Sequence, residues 1–239
     1  EMDFPLLEEQ AADPDAKIMI LCSPHNPVGR VWTKEELARV GEICKKNNVL
    51  VIADEIHSDL VYAGYVHTPF ALASDAPHLL CTSLGKTFNV AGLRLANIFS
   101  SSAELKKQYD QEIDAYSYSA SNTFGLEMVQ AAYSPEGEAW LEELLVYLQG
   151  NVEVVSEWCQ KHNVGFTAPQ GTFLCWLDLG SAGLTDEEII KKIIMGKEVI
   201  CVPGPWFGKG GEGHLRLNIG CTRKTLVEAL DRIASVLNN

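Results

Sequence analysis

No C-x-x-C pair, no H-x-x-x-H or H-E-x-x-H spacing, and no G-x-G-x-x-G after an early strand occur in these 239 residues. The missing histidine spacings leave metal catalysis without a sequence signal. The missing nucleotide fingerprint excludes a nicotinamide-binding dehydrogenase. Positive charge is also scarce. Nineteen Lys and Arg face 32 Asp and Glu, a net −13, which argues against a nucleic-acid or membrane-surface partner. No apolar run approaches the length needed to cross a bilayer. The seven cysteines (22, 44, 81, 159, 175, 201 and 221) are an odd number, and several stand in apolar runs, as buried free thiols do. Without a signal peptide, this usage predicts a reducing cytoplasm.

What remains is an apolar fraction of 46%, enough for one large or two modest domains. Apolar runs near 18–22, 49–53, 79–83 and 95–100 read as strands. Thr33-Lys34-Glu35-Glu36 forms a capping box, and Leu37, Val40, Ile43 and Cys44 follow at helical spacing. A helix between the first two strands predicts that they run parallel. Further helices are expected near 103–113, 122–133 and 136–162, with Ser119 and Asn122 as cap residues. Tyr62, Tyr116 and Tyr118 are aromatic candidates for a pocket, with core packing the expected role of each. Beyond the long helix the pattern changes to a smaller α+β unit. Its strands are expected at 173–177, 199–202 and 214–219, with helices opening at Thr185 and Thr222. The expected division is 1–145 and 146–239. A glycine-rich stretch around Trp206 and Phe207 reads as a mobile loop, its aromatics either covering a substrate side chain or packing on the body.

Three predicted strand ends carry unusual side chains. Asn26 lies in Ser23-Pro24-His25-Asn26-Pro27-Val28-Gly29, where prolines and glycine enforce a rigid turn. Asp54 ends the second strand in Asp54-Glu55-Ile56-His57-Ser58-Asp59. Lys86 follows the third in Ser83-Leu84-Gly85-Lys86-Thr87-Phe88-Asn89, with Arg94 eight residues on. Each alone reads equally as an ordinary turn residue. Together they fall where open α/β sheets bind ligands, beyond the carboxyl ends of strands. An amine there, flanked by a hydroxyl and a guanidinium, suits covalent catalysis beside a phosphate.

In these motifs, and in Leu60-Val61 and His67-Thr68-Pro69-Phe70, the chain resembles the fold-type I, pyridoxal-phosphate (PLP) dependent enzymes of the class I/II aminotransferase superfamily. It is most similar to their cystathionine β-lyase (C–S lyase) branch of the MalY/PatB type. The resemblance runs through essentially the whole chain. It implies an α/β fold, part of a transferase-like large domain with a mostly parallel sheet, plus a small C-terminal α+β domain. It implies that Lys86 bonds the cofactor and then moves protons, that Asp54 pairs with the pyridine nitrogen, and that Asn26 bonds the phenolic oxygen. His57 stands where many aminotransferases carry a tyrosine, Ser83 and Arg94 match phosphate-binding positions, and Arg216 matches the arginine that clamps the substrate carboxylate. A lysine in this role must be partly neutral, which burial and neighbouring cations favour. Gly85 departs from the pattern, since most relatives have a second serine before the lysine. Arg94 is the rule in aminotransferases rather than in the nearest lyases.

The family places a substantial segment, with a phosphate loop, before the Asn26 turn. The chain therefore reads as a C-terminal fragment of a dimeric enzyme, and the fragment alone is expected to bind PLP weakly or not at all. The expected reaction is β-elimination from cystathionine or cysteine conjugates, giving thiol, pyruvate and ammonia. Transamination of an L-amino acid uses the same residues and stays open. A third possibility is a PLP-binding sensor module of a transcription regulator.

Overall fold

A computed structural model describes residues 1–118 and 121–237, so the expected cap at Ser119 lies outside the described residues. The helices are α1 (Phe4–Ala11), α2 (Lys34–Lys46), α3 (Phe70–Ala73), α4 (Leu84–Thr87), α5 (Ala103–Ala115), α6 (Thr123–Ala132), α7 (Pro135–His162), α8 (Asp186–Glu188) and α9 (Arg223–Leu237). The strands are β1 (Ile18–Cys22), β2 (Leu50–Asp54), β3 (His78–Thr82), β4 (Asn97–Ser100), β5 (Gly165–Phe166), β6 (Leu174–Asp178), β7 (Val202–Pro203) and β8 (His214–Asn218). They form two compact units. One comprises Glu1–Pro24 and Val31–Glu142, the other His25–Arg30 and Glu143–Asn239, with the boundary falling inside α7.

In the first unit the sheet order is β1-β2-β3-β4. β1, β2 and β3 are parallel, in the register Ile18↔Leu50 and Val51↔His78, and β4 returns antiparallel to β3. The parallel pairing follows from α2, whose ends are fixed by its sequence. Thr33 Oγ1 accepts from the Glu36 backbone N–H at 3.1 Å, and Glu36 Oε2 accepts from that of Thr33 at 2.8 Å. Its apolar stripe (Leu37, Val40, Ile43, Cys44) packs with Leu21, Val51, Ala53, Phe70 and Leu80 in one core. The strand residues that alternate with these face the other way, where Ile20 is 71% exposed.

The second unit carries an antiparallel sheet, β5-β6-β8-β7, with α9 supplying Leu226, Leu230 and Ile233 to its core. Buried Asn151 of α7 holds the chain after β8, donating to the carbonyls of Ile219 (2.8 Å) and Cys221 (3.1 Å). The opening of α8 matches the expected capping box at Thr185, but the helix continues as a π-helical stretch, Ile189–Met195.

Two expectations need correction. The strand expected at 199–202 shrinks to Val202–Pro203, because left-handed Glu198 turns the chain just before it and Ile200 is left exposed. Tyr116 and Tyr118 are exposed and stack on each other, at the end of a helix that buries none of its residues. The glycine-rich segment is a folded loop. A 3-10 turn (Gly204–Phe207) starts it, and the Gly204 and Gly211 backbones approach so closely that a Cβ on either would strike the other's carbonyl.

Candidate functional site

The first unit carries Asp54 at the end of β2, His57 in the loop that follows it, and Ser83, Lys86 and Arg94 after β3. Asp54 is the last residue of β2. Its carbonyl accepts from Ser23 N–H at 2.9 Å, continuing the β1 ladder, and Glu55 N–H donates to Cys81 O at 2.8 Å, continuing that of β3. Asp54 is therefore gripped through its backbone from both sides. Its carboxylate has a 3.3 Å contact from the Ile56 N–H.

The loop after β2 is held by two further acids. Glu55 is only 2% exposed, and its carboxylate accepts from the Phe70 N–H at 2.7 Å and faces His67 Nε2 at 2.8 Å. These bonds join the two quoted motifs across twelve residues. At the far end Asp59 Oδ2 accepts from Thr87 Oγ1 at 2.8 Å. His57, between them, is buried.

β3 delivers the lysine. Ser83 caps α4, accepting from Gly85 N–H at 3.0 Å, while its own hydroxyl donates to Leu95 O at 2.7 Å. That proton is thus spent within the chain. Lys86 lies in the single turn of α4 and is exposed, because its neighbours Leu84 and Thr87 take the inward positions. Phe88 stacks on Trp140 (5.4 Å between centroids) and meets Tyr133 edge-on. The chain then reverses through left-handed Asn89 and Arg94. Arg94 is exposed beside the 3-10 turn Ala91–Leu93.

The second unit brings Asn26 and Arg216 together. Arg216 Nη1 donates to Asn26 Oδ1 at 2.9 Å, and the guanidinium lies 4.9 Å over the Phe207 ring. Burial pulls the Arg216 pKa down from its ordinary value. The Asn26 turn is fixed locally. His25 N–H donates to Arg30 O, Gln170 N–H donates to Gly29 O, and Arg30 Nη1 donates to Gln170 Oε1. Gly29 is left-handed, and an added Cβ would overlap Pro169. Of the two loop aromatics, Phe207 packs on Trp176 and under Arg216, while Trp206 is 77% exposed.

Glu55, His67, Asp59 and Thr87 went unassigned in the sequence, although all four stand in quoted motifs. The signal available was the density of acids in Asp54-Glu55-Ile56-His57-Ser58-Asp59. Three carboxylates in six residues at a strand end require partners. Among the described residues, no group of three or more His, Cys, Asp or Glu is placed to hold a metal ion, and no helix is long and apolar enough to cross a membrane.

Comparison with known proteins places these features in context. The family profile described as aminotransferase class I and II matches residues 1–233. Cystathionine beta-lyase PatB of Bacillus subtilis is 37% identical over 99% of this chain and 62% of its own length. Protein MalY of Escherichia coli is 34% identical over 99% of the chain and 60% of its own. The crystal structure of cystalysin from Treponema denticola, which contains a pyridoxal 5'-phosphate cofactor, superposes with a TM-score of 0.94 at 30% identity. That match covers all of this chain and 61% of cystalysin. The chain thus spans about three fifths of the length of the relatives it matches.

Proposed function

We propose that this chain, which belongs to the aminotransferase class I and II family, holds pyridoxal phosphate within a C–S β-lyase. The intact protein cleaves cystathionine or a related cysteine S-conjugate to a thiol, pyruvate and ammonia. The observation that carries the reading is the placement of Asp54 at the end of β2 and of Lys86 in the turn after β3, the adjacent parallel strand, in a chain similar to a cystathionine beta-lyase over nearly its whole length. The donor set fits a phosphorylated pyridine aldehyde. It offers a carboxylate for a ring nitrogen, a primary amine for an aldehyde, and the Arg94 guanidinium for a phosphate. Ser83 fits as a cap rather than as a phosphate donor, because its hydroxyl already donates to Leu95.

When bound, the cofactor supplies an electron sink for charge developing on the substrate α-carbon. The residues supply the rest. Asp54, held at the end of β2 between both neighbouring strands, would present its carboxylate to a pyridine nitrogen. Lys86, exposed and reachable, would hold the cofactor's aldehyde through its Nζ and would carry the substrate's α-proton. Arg216 has spent one N–H on Asn26, and its other N–H groups are left to bind an α-carboxylate. Phe207 beneath it fixes the guanidinium plane. The reading carries with it a small amino-acid substrate, a cytoplasmic setting and a homodimer.

The test is an assay of the intact protein with L-cystathionine. Pyruvate and ammonia without any amino-group acceptor support the lyase. Keto acid formed only when an acceptor is added supports transamination and overturns it.

A further inference from the structure

We infer that Asp59 is a positioning residue for Lys86, acting through Thr87; the inference rests on the cofactor reading above and names a further part of that site. Thr87 directly follows the lysine, is 2% exposed, and donates its hydroxyl to Asp59 Oδ2 at 2.8 Å. A buried hydroxyl committed to a carboxylate is a strong anchor, since such bonds are shorter and about twice as strong as neutral ones. The next residue is anchored too, with Phe88 between the Trp140 and Tyr133 rings. Lys86 alone on that side of the turn faces solvent. Four residues of helix cannot hold an orientation by their own backbone bonds, because helix nucleation is unfavourable. The side-chain anchors must therefore set where the amine points.

The anchor comes from the loop that begins at Asp54. Its far end grips the lysine turn through Asp59, and its near end is fixed by Glu55 on Phe70 N–H and His67. One six-residue segment thus sets the strand-end carboxylate and the amine against each other. The cost of misplacing a reacting group by about 1 Å is roughly 100-fold. That sensitivity gives the segment a role that ordinary loop packing would not.

The experiment measures covalent capture at Lys86 in the intact protein, stripped of cofactor and then given pyridoxal phosphate. The amine nitrogen bonds the aldehyde carbon with loss of water. Borohydride then delivers hydride to that carbon, leaving a stable secondary amine, and peptide mass spectrometry locates and times the label. In the wild type, label is expected mainly on Lys86, with little on exposed Lys106. Thr87→Val, which keeps the shape and removes the donor, is expected to slow capture at Lys86 about tenfold, the equivalent of one lost hydrogen bond. Thr87→Ser and Asp59→Asn keep a donor and an acceptor respectively, and are expected to restore wild-type rate and selectivity. Asp59→Ala, at a half-buried loop position, repeats the loss should Thr87→Val not fold. Thermal midpoints without cofactor accompany each variant. Wild-type capture in both Thr87→Val and Asp59→Ala, or no rescue by Thr87→Ser, overturns the positioning role. Label spread over surface lysines in the wild type, unchanged in Lys86→Ala, overturns the cofactor reading instead.

Discussion

Replacing Glu55 by alanine removes a buried carboxylate and strands two donors at once. The carboxylate accepts from Phe70 N–H at 2.7 Å and faces His67 Nε2 at 2.8 Å, and both oxygens are therefore in use. Hydrogen bonds to charged groups contribute about 1.5–3 kcal/mol each, and an orphaned buried donor costs about 1–3 kcal/mol. Two such losses come to about 3–6 kcal/mol. At roughly 2–4 °C per kcal/mol for a chain of this size, the thermal midpoint should fall by about 6–24 °C. Glu55→Gln is the discriminating control. Its amide oxygen can accept from Phe70, and its NH2 can donate to His67 if the imidazole proton moves to Nδ1. That nitrogen is buried and has no partner. The glutamine variant should therefore lose about 1–2 kcal/mol, one neutral bond replacing one charged one. The assay is urea unfolding, with hydrogen exchange across residues 56–70 to localise the loss. Equal destabilisation by Ala and Gln, or a loss below about 1 kcal/mol for Ala, would refute the reasoning.

Other expectations follow from single contacts. Gly29→Ala places a Cβ against Pro169 in a left-handed turn, and should destabilise the second unit by about 1–3 kcal/mol in urea titration. Leu21→Ala, in the core, should cost about 2–5 kcal/mol, whereas Ile20→Ala on the opposite face of β1 should stay within about 1 kcal/mol. Burial pushes the Cys159 and Cys201 thiols up to about 12. Unfolded thiols titrate near 8.5, so the fold keeps this share of its stability below about pH 8.5 and loses it progressively as pH climbs toward 12. Urea midpoints from pH 7 to 10 should fall less steeply in Cys201→Ser; parallel profiles would count against the assignment.

Local signals read well from the sequence. The apolar runs of β1, β2 and β3, the Thr33 and Thr185 capping boxes and the Asn122 cap each depend on residues within a few positions, and all are present. What the sequence hid is long-range. The Asn26 turn groups with the second unit because Arg30 and Gly29 bond Gln170, some 140 residues away, and no spacing rule encodes that pairing. Glu55 and His67 stood in quoted motifs without their partnership being legible, since a loop of twelve residues can fold many ways. The exposed Tyr116 and Tyr118 failed for the opposite reason. Their composition says core, but α5 presents them to water. Among the candidate residues, the positions of Asp54 and Lys86 after β2 and β3 were legible from the apolar runs alone, whereas the Ser83 hydroxyl bond to Leu95 required the fold.

The pinch between Gly204 and Gly211 separates two kinds of evolutionary freedom. Residues 205–210 form a tip whose chemistry, Phe207 under Arg216 apart, can change while the neck stays shut, so β8 keeps its pairing with β6. New side chains can be sampled on the tip, beginning with Trp206, without retuning the guanidinium beneath. Either neck glycine, by contrast, is irreplaceable: any larger residue would pry the tip open and shift the strand along with it.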